Sequence, residues 1–519
     1  MAELNATEIL EKLPKNIRGV VTESARTNGD RVALVETSGS WTYRELDAVI
    51  TETQAWLAGL GVRAGDRVMI VSENCRSFVA VLLAVAGMDA WAVPVNAKLS
   101  PQEIDAIRDH CGARRLIYTI TVSRAARDHA KRHDAAIVEA GRLGSIAVGP
   151  LNENVVPEPL DPNLNERVAA MIYTSGTTGL PKGVMLTHRN LLYLAGVSAA
   201  IRSLTPDDRL YGVLPMTHAV GLSVVLLGAL LSGARLYLVT RFDPVAAINS
   251  MEKDALTIVL GVPSMFSVLL DYTKMKGMTS LKFPALRVIS SSGAPLTATV
   301  KADTEKLLGL VLHNGYGVTE CSPTIAQARL DEPRIDLSVG KILPGMEIAL
   351  IGSDGNPVVA GEIGELRVKG PNVMKGYYHA AEDTAAVLSA DGWFNTRDLA
   401  RLEGGHLFIV GRAKELIVRF GFNVYPAEVE AVMSALPGVA RVAVIGRPIE
   451  ASQGGEDVIA FVELTKGWAV RVEDLNEHAS KNLSPYKRPT QFVMLESMPV
   501  TPTGKPMKGE LAKMLTDKS

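Results

Sequence analysis

Cysteine is scarce in this chain: Cys75, Cys111 and Cys321 are the three among 519 residues. An odd number in so long a chain argues for reduced thiols and a cytosolic setting, and their spacing matches no metal-binding pattern. Long blocks of one charge are missing as well. With 54 Lys and Arg against 56 Asp and Glu, and a formal net charge of −2, nothing indicates an electrostatic grip on nucleic acid or on an anionic membrane. An anionic ligand must therefore be held locally. The longest apolar run, Ala219 to Leu231, is interrupted by Gly221, Ser223 and Gly228 and is too short to span a bilayer. Met1-Ala2-Glu3-Leu4-Asn5 lacks a basic region followed by an apolar core, so no signal peptide is expected and the predicted location is the cytoplasm. Internal repeats and low-complexity tracts are absent.

What is present reads as layered α/β structure. A helical pattern after Trp41 leads to a buried strand at Arg67 to Val71, a buried helix at Phe78 to Val85 and a strand at Ala92 to Val95. This alternation continues to about residue 300. From about residue 339 short segments broken by glycine and proline, such as Gly364 to Pro371, predict a small β subdomain or distorted barrel. A third texture follows Gly411, with a helix at Pro426 to Leu436 and strands at Val439 to Ile445 and Val458 to Leu464, predicting a compact α+β domain. The expected organisation is an N-terminal domain over 1–411 and a C-terminal domain over 412–519. His129 and His133 lie four apart among charged residues; a solvated helix face explains them better than a metal site.

The most informative stretch is Thr174-Ser175-Gly176-Thr177-Thr178-Gly179-Leu180-Pro181-Lys182-Gly183-Val184, set between two apolar runs. Glycines let the backbone approach an anion, hydroxyls add donors and Lys182 adds charge, so the composition is that of a polyphosphate cradle. It is not the Walker loop, which needs Gly-Lys followed by Ser or Thr. Ser291 to Leu296 follows a strand-like segment, and open α/β sheets bind ligands at strand ends. In Asn314-Gly315-Tyr316-Gly317-Val318-Thr319-Glu320 an aromatic ring flanked by glycines can stack on a purine, Thr319 can donate to a phosphate oxygen, and Glu320 offers an oxygen to Mg²⁺. By themselves, Asp398 is an ordinary loop residue, Gly411 to Ile417 a charged linker, and Pro499 to Pro506 a turn with an exposed lysine.

Together these strings resemble the acyl-adenylate-forming enzymes, a family of acyl-CoA synthetases, nonribosomal adenylation domains and luciferases. The likeness runs from about Trp41 to Lys508, with the motifs in the family's order. It implies that ATP or AMP is bound by Thr174, Ser175, Gly176, Thr177, Thr178, Gly179 and Lys182. Gly293, Ala294, Pro295, Asn314, Gly315, Tyr316 and Gly317 would border the adenine, with Asp398 and Arg412 at the ribose. It implies that Lys505, Thr319, Glu320 and His218 are catalytic, that Glu320 binds Mg²⁺, and that His218, Gly293 and Gly315 wall the acyl pocket. Lys414 would be the hinge of a mobile C-terminal domain, and Arg419, Gly421 and Phe422 would meet coenzyme A. Three positions depart from the family pattern: Thr217 replaces a common aromatic, Arg397 a glycine, and Phe420 a lysine or serine.

The implied activity is ATP-dependent ligation of a carboxylate to CoA. The acid attacks the α-phosphorus of ATP, giving an acyl-adenylate and pyrophosphate, and the CoA thiol then displaces AMP. The string around Tyr316 and the hinge at Lys414 look most like the hydroxycinnamate and fatty-acid branch, so the expected substrate is an aromatic or a medium- to long-chain aliphatic acid. An acyl-AMP ligase serving a carrier protein and a non-catalytic nucleotide-binding relative stay open as alternatives. Expected partners are the acid, ATP and CoA, without nucleic acid or integral membrane association, in a monomer or a homodimer.

Overall fold

Phe78 to Ala86 are nine consecutive residues without exposed surface, all within the helix Arg76–Gly87. A helix apolar on every side has to be enclosed. Here it touches Val32–Glu36 of one sheet and Arg67–Ser72 and Trp91–Asn96 of another, so it is the filling between two sheets. Each large side chain so buried contributes about 1.5–3 kcal/mol, and this layer, with helix His188–Ile201, holds the centre of the chain together. The computed structural model describes residues 4–174, 181–419, 422–449, 456–501 and 504–516.

The first sheet has nine strands. Its centre is parallel: Leu312–Tyr316, Val288–Ser291, Ile258–Gly261, Arg209–Gly212, Arg235–Leu238 and Val32–Glu36 run side by side. The second sheet has eight strands, with Arg67–Ser72 in parallel register with Trp91–Asn96 and Arg115–Tyr118. At its other end Val168–Thr174 and Lys182–Thr187 form an antiparallel pair that places Thr174 opposite Lys182. The predicted cradle is thus the connection between two paired strands; Ser175, Gly176, Thr177, Thr178 and Gly179 lie outside the described residues.

The predicted small β unit is a four-stranded antiparallel sheet of Glu347–Ile351, Gly364–Lys369, Phe394–Glu403 and His406–Arg412. After it, a three-stranded sheet of Val439–Pro448, Glu456–Leu464 and Gln491–Leu495 carries helices Pro426–Ser434 and Val472–Asn482 on one face and Lys508–Thr516 on the other. Alternate residues of Val439–Pro448 serve the two faces, Val442 and Val444 one, Ala443 and Ile445 the other. The mixed α/β class is as expected. Cys75, Cys111 and Cys321 are buried free thiols. Among the described residues no helix is long and apolar enough to cross a membrane.

One expectation fails. His129 and His133 do not sit on a solvated face; both are buried. The His129 Nε2 lies 3.1 Å from the Ala97 carbonyl, and His133 bridges the Tyr118 hydroxyl at 2.5 Å and Asp105 at 2.7 Å. The charged neighbours face solvent, while the two rings, one turn apart, point inward. Among the described residues no cluster of His, Cys, Asp and Glu is suited to a metal ion.

Candidate active site

Leu312–Tyr316 is the last parallel strand of the nine-stranded sheet, so Tyr316 sits at a carboxyl end, where open α/β sheets place ligands. The chain turns there through Gly317, where a Cβ would lie 1.7 Å from the Pro323 carbonyl oxygen, so only glycine fits. The Tyr316 hydroxyl donates to Asp398 Oδ2 at 2.5 Å. Burial, then the Asp398 charge, raise the phenol far above its ordinary range, so Tyr316 remains a neutral donor. Asp398 is itself buried and stands opposite Arg412 across the antiparallel strands; the Arg412 Nε donates to its Oδ1 at 3.0 Å.

Arg397 explains how the family's glycine can be absent. Its φ is +58°, in the left-handed region that favours glycine. The conformation is held from both sides: the Asn395 side chain accepts from the Arg397 N–H at 2.8 Å, and the Thr396 hydroxyl accepts from the Asp398 N–H at 3.1 Å. The backbone turn that presents Asp398 is therefore kept, at the modest cost of a non-glycine residue there.

Thr319 and Glu320 form the 3₁₀ turn Thr319–Cys321 immediately beyond Tyr316. Tyr377 donates to Glu320 Oε1 at 2.8 Å, and the Met374 N–H to its carbonyl at 2.8 Å. The Lys182 ammonium lies 5.1 Å from the centre of the Tyr377 ring and 2.6 Å from Asp383. Lys182, Glu320 and Tyr377 thus form one cluster, joined by Thr174 through its pairing with Lys182. Sequence reasoning missed Tyr377 and Asp383: neither lies in a string to which the sequence assigned a role.

Lys505 arrives from the C-terminal part. The turn is closed by Gly504 N–H to Thr501 carbonyl and Thr501 N–H to Lys505 carbonyl, each at 2.8 Å. Gly504 has φ +82°, and a Cβ there would come 2.7 Å from Ser264 Oγ, at the start of helix Pro263–Met275. The lysine turn is therefore seated against the large N-terminal part. Burial, then Arg412, lower the Lys505 pKa below its ordinary value, while Glu415 and Asp398 oppose the shift. Three residues on, the Lys508 ammonium pairs with Glu415 at 2.6 Å and Glu430 at 2.8 Å. Lys414 is exposed, in the turn Ala413–Glu415 next to Arg412.

His218 follows a strand end in Leu214 to Gly221. Gly221 is obligatory, since a Cβ would lie 2.1 Å from the Pro215 carbonyl oxygen. His218 is exposed, yet desolvation by the surrounding protein lowers its pKa, favouring the neutral imidazole. Gly293 has φ +84° and, like Pro295, is exposed, with Ala294 between them half-buried. Beside them is a small cavity lined by Val220, Val224, Leu260, Ser292, Gly315 and Thr324, with Arg202, Ser290 and Gln327. A second, apolar cavity lies among Phe242, Met251 and Phe266; it contains none of the predicted residues.

The remaining predicted residues fall into two groups. The Asn314 amide donates to the Leu337 carbonyl at 3.2 Å and its Oδ1 accepts from the Gly315 N–H, so it shapes the strand end. Arg419 and Phe422 belong to the ribbon Ile417–Arg419 and Phe422–Val424. Arg419 donates to the Arg488 carbonyl at 2.7 Å, and the Phe422 ring stacks on Tyr486 at 4.7 Å. Gly421 and Phe420 lie outside the described residues.

Residues 21–378 match the AMP-binding enzyme family and residues 428–505 the AMP-binding enzyme C-terminal domain. Similar curated proteins include a feruloyl-CoA synthase of Amycolatopsis sp, 34% identical over 94% of this chain and 97% of that protein. Another is a 4-coumarate–CoA ligase of Pinus taeda, 30% identical over 100% of this chain and 98% of its own. Among solved structures, ATP-bound MatB from Rhodopseudomonas palustris aligns with TM-score 0.82 and 27% identity, covering 97% of this chain and 99% of that one. The Bacillus subtilis O-succinylbenzoate coenzyme A synthetase with ATP and magnesium ion aligns with TM-score 0.81 and 28% identity, covering 95% and 99%. A chain that gathers Asp398, Arg412 and Lys505 around Tyr316, at the carboxyl end of a parallel strand, and matches these proteins along nearly its whole length, belongs to the AMP-binding enzyme family and is an AMP-forming acyl-CoA synthetase.

Proposed function

We propose that this synthetase activates an aromatic, hydroxycinnamate-like acid or a medium- to long-chain aliphatic acid, and that the residues named above act in one site. The observation that carries this reading is the meeting of the Lys505 turn with Asp398 and Arg412 beside the cavity at Gly315. Asp398 would accept from the ribose hydroxyls, its carboxylate oriented by Tyr316 and Arg412. Thr174, Lys182 and Thr319, with the loop between Thr174 and Pro181, would hold the phosphates. Lys505 would neutralise charge growing on the α-phosphate as the carboxylate attacks, without transferring a proton.

Magnesium fits at Glu320 only together with the nucleotide. Among the described residues no carboxylate cluster could bind it unaided, and Mg²⁺ characteristically combines one or two carboxylates with substrate phosphates. Bound there, it would supply charge neutralisation to the phosphates. Positioning the two reactants provides the rest, since orientation can account for ~7–11 kcal/mol of a barrier.

The proposed division is 1–411 and 412–519, with the second part turning about Lys414 after adenylation to bring Arg419, Gly421 and Phe422 to the CoA arm. A cytoplasmic location accords with three buried free thiols. The test is AMP release by the purified protein with ATP, Mg²⁺ and CoA across aryl and aliphatic acids of increasing length. AMP and thioester appearing together for one acid class supports the proposal. Adenylate without thioester would move the acceptor to a carrier protein.

A further inference from the structure

We propose that the acid carries a second carboxylate, remote from the reacting one, and that the guanidinium of Arg202 binds it. This rests on the ligase reading above and on the cavity at Gly315 being the acyl pocket.

Arg202 caps the C-terminal end of helix His188–Ile201, lines that cavity, and is 5% exposed. Its Nη1 donates to the carbonyl and hydroxyl of Ser198. A cation at a helix C-terminus is favourable, and these bonds explain one side of the guanidinium. They leave the Nε, which is buried and has no hydrogen-bond partner. Among the described residues no carboxylate forms an ion pair with Arg202.

The surroundings make the deficit larger. The neighbouring charge acting on Arg202 is another cation, Arg329, and with burial it lowers the Arg202 pKa to about 10. The guanidinium still carries its charge at neutral pH. His313, also close, has its pKa lowered to about 4 by burial and by Arg202, so it is neutral and brings no negative charge. A buried charge is expensive unless it is paired, and an arginine presents a planar fork matched to a carboxylate. Of the other polar side chains lining the cavity, Ser290 and Gln327 are buried and Ser292 and Thr324 half-buried, and none of them is charged. The pocket wall that contains Arg202 thus suits an anion, whereas a plain alkyl or phenyl end would leave Arg202 uncompensated.

Only one carboxylate reacts in this scheme. It attacks the α-phosphorus and expels pyrophosphate, while the distal carboxylate stays ionised on Arg202 through both half-reactions.

The experiment compares acids of matched length on the full-length protein: 4-carboxycinnamate with cinnamate and 4-coumarate, and octanedioate with octanoate, reading kcat/KM for CoA thioester formation. The wild type is expected to prefer the dicarboxylic member of at least one series by on the order of 10²-fold, the range for breaking one side of a desolvated charge pair. Arg202→Met should abolish or reverse that preference while turning over the monocarboxylic acid, which also shows that the variant is folded. Arg202→Lys should retain part of it. If the wild type favours cinnamate, 4-coumarate and octanoate over their carboxy analogues, the proposal is overturned and the ligase reading stands. Turnover of none of these acids, together with no acid-dependent pyrophosphate exchange, overturns both.

Discussion

The Tyr316 hydroxyl and the Asp398 carboxylate, 2.5 Å apart, join the end of the nine-stranded sheet to the four-stranded sheet. Neither residue could be held this way alone, because Tyr316 lies at a strand end and Asp398 on a turn containing a left-handed arginine. The bond orients the group that is proposed to read the ribose. Tyr316→Phe keeps the ring and removes the donor, and hydrogen bonds to charged groups are worth about 1.5–3 kcal/mol. AMP affinity measured by calorimetry should fall roughly tenfold or more. Unchanged affinity would show that Asp398 needs no help from Tyr316.

Lys508 is predicted to position Lys505 without touching substrate. Its ion pairs with Glu415 and Glu430 anchor the start of the last helix beside the turn Ala413–Glu415. The pairs are half-buried, and burial works against both partners, yet Lys508 is raised and Glu415 lowered, as mutual stabilisation requires. Lys508→Met should lower kcat for adenylation by roughly 10-fold or more with little change in KM for ATP, the pattern of misplacement. A raised KM at constant kcat would make Lys508 a binding residue instead.

The two glycines around Tyr316 should respond oppositely. A Cβ at Gly315 would make only ordinary contacts, 3.6–3.8 Å from Ala326, Gln327 and Ser292, and would point into the cavity. Gly315→Leu should fold and shift acid preference toward shorter substrates, measured as the ratio of kcat/KM along a length series. Gly317→Ala meets the Pro323 carbonyl and should yield little folded protein. Equal folding and equal acid profiles for both variants would contradict this geometry.

These residues also show how far sequence carries. The strings around Tyr316, Asp398 and Lys505 were legible because each packs several unusual residues into a few positions. The pairing of Asp398 with Arg412 was not, since it depends on the register of two strands with a bulge between them. The left-handed Arg397 was hidden for the same reason: its support comes from Asn395 and Thr396, residues that read as ordinary loop polarity. The burial of His129 and His133 was obscured by their charged neighbours, and no motif singled out Arg202. Only the packing of its helix end against the cavity turns it inward.

Acid should destabilise the fold through His188. Its Nδ1 accepts from the Ile17 N–H at 3.3 Å, which requires the neutral ring, and burial lowers its pKa to about 4 from an ordinary 6.5. The unfolded chain therefore takes up this proton near the ordinary pKa and the folded chain only at lower pH. Stability is full above about 6.5 and declines as pH falls toward 4, by up to about 3 kcal/mol for this one group. Melting temperatures between these limits should fall less steeply for His188→Asn than for the wild type. Parallel curves would locate the acid sensitivity elsewhere.

The central claim is that Lys505, next to Gly504 whose backbone is seated against Ser264, and in the field of Arg412 and Asp398, serves the first half-reaction. The direct measurement separates the halves in Lys505→Ala: pyrophosphate release from acid and ATP, and thioester formation from supplied acyl-adenylate and CoA. Adenylation is expected to fall by on the order of 10²–10³-fold, the scale for losing one charge-stabilising group, with thioester formation nearly unchanged. Equal loss in both halves, or none in the first, would contradict the account.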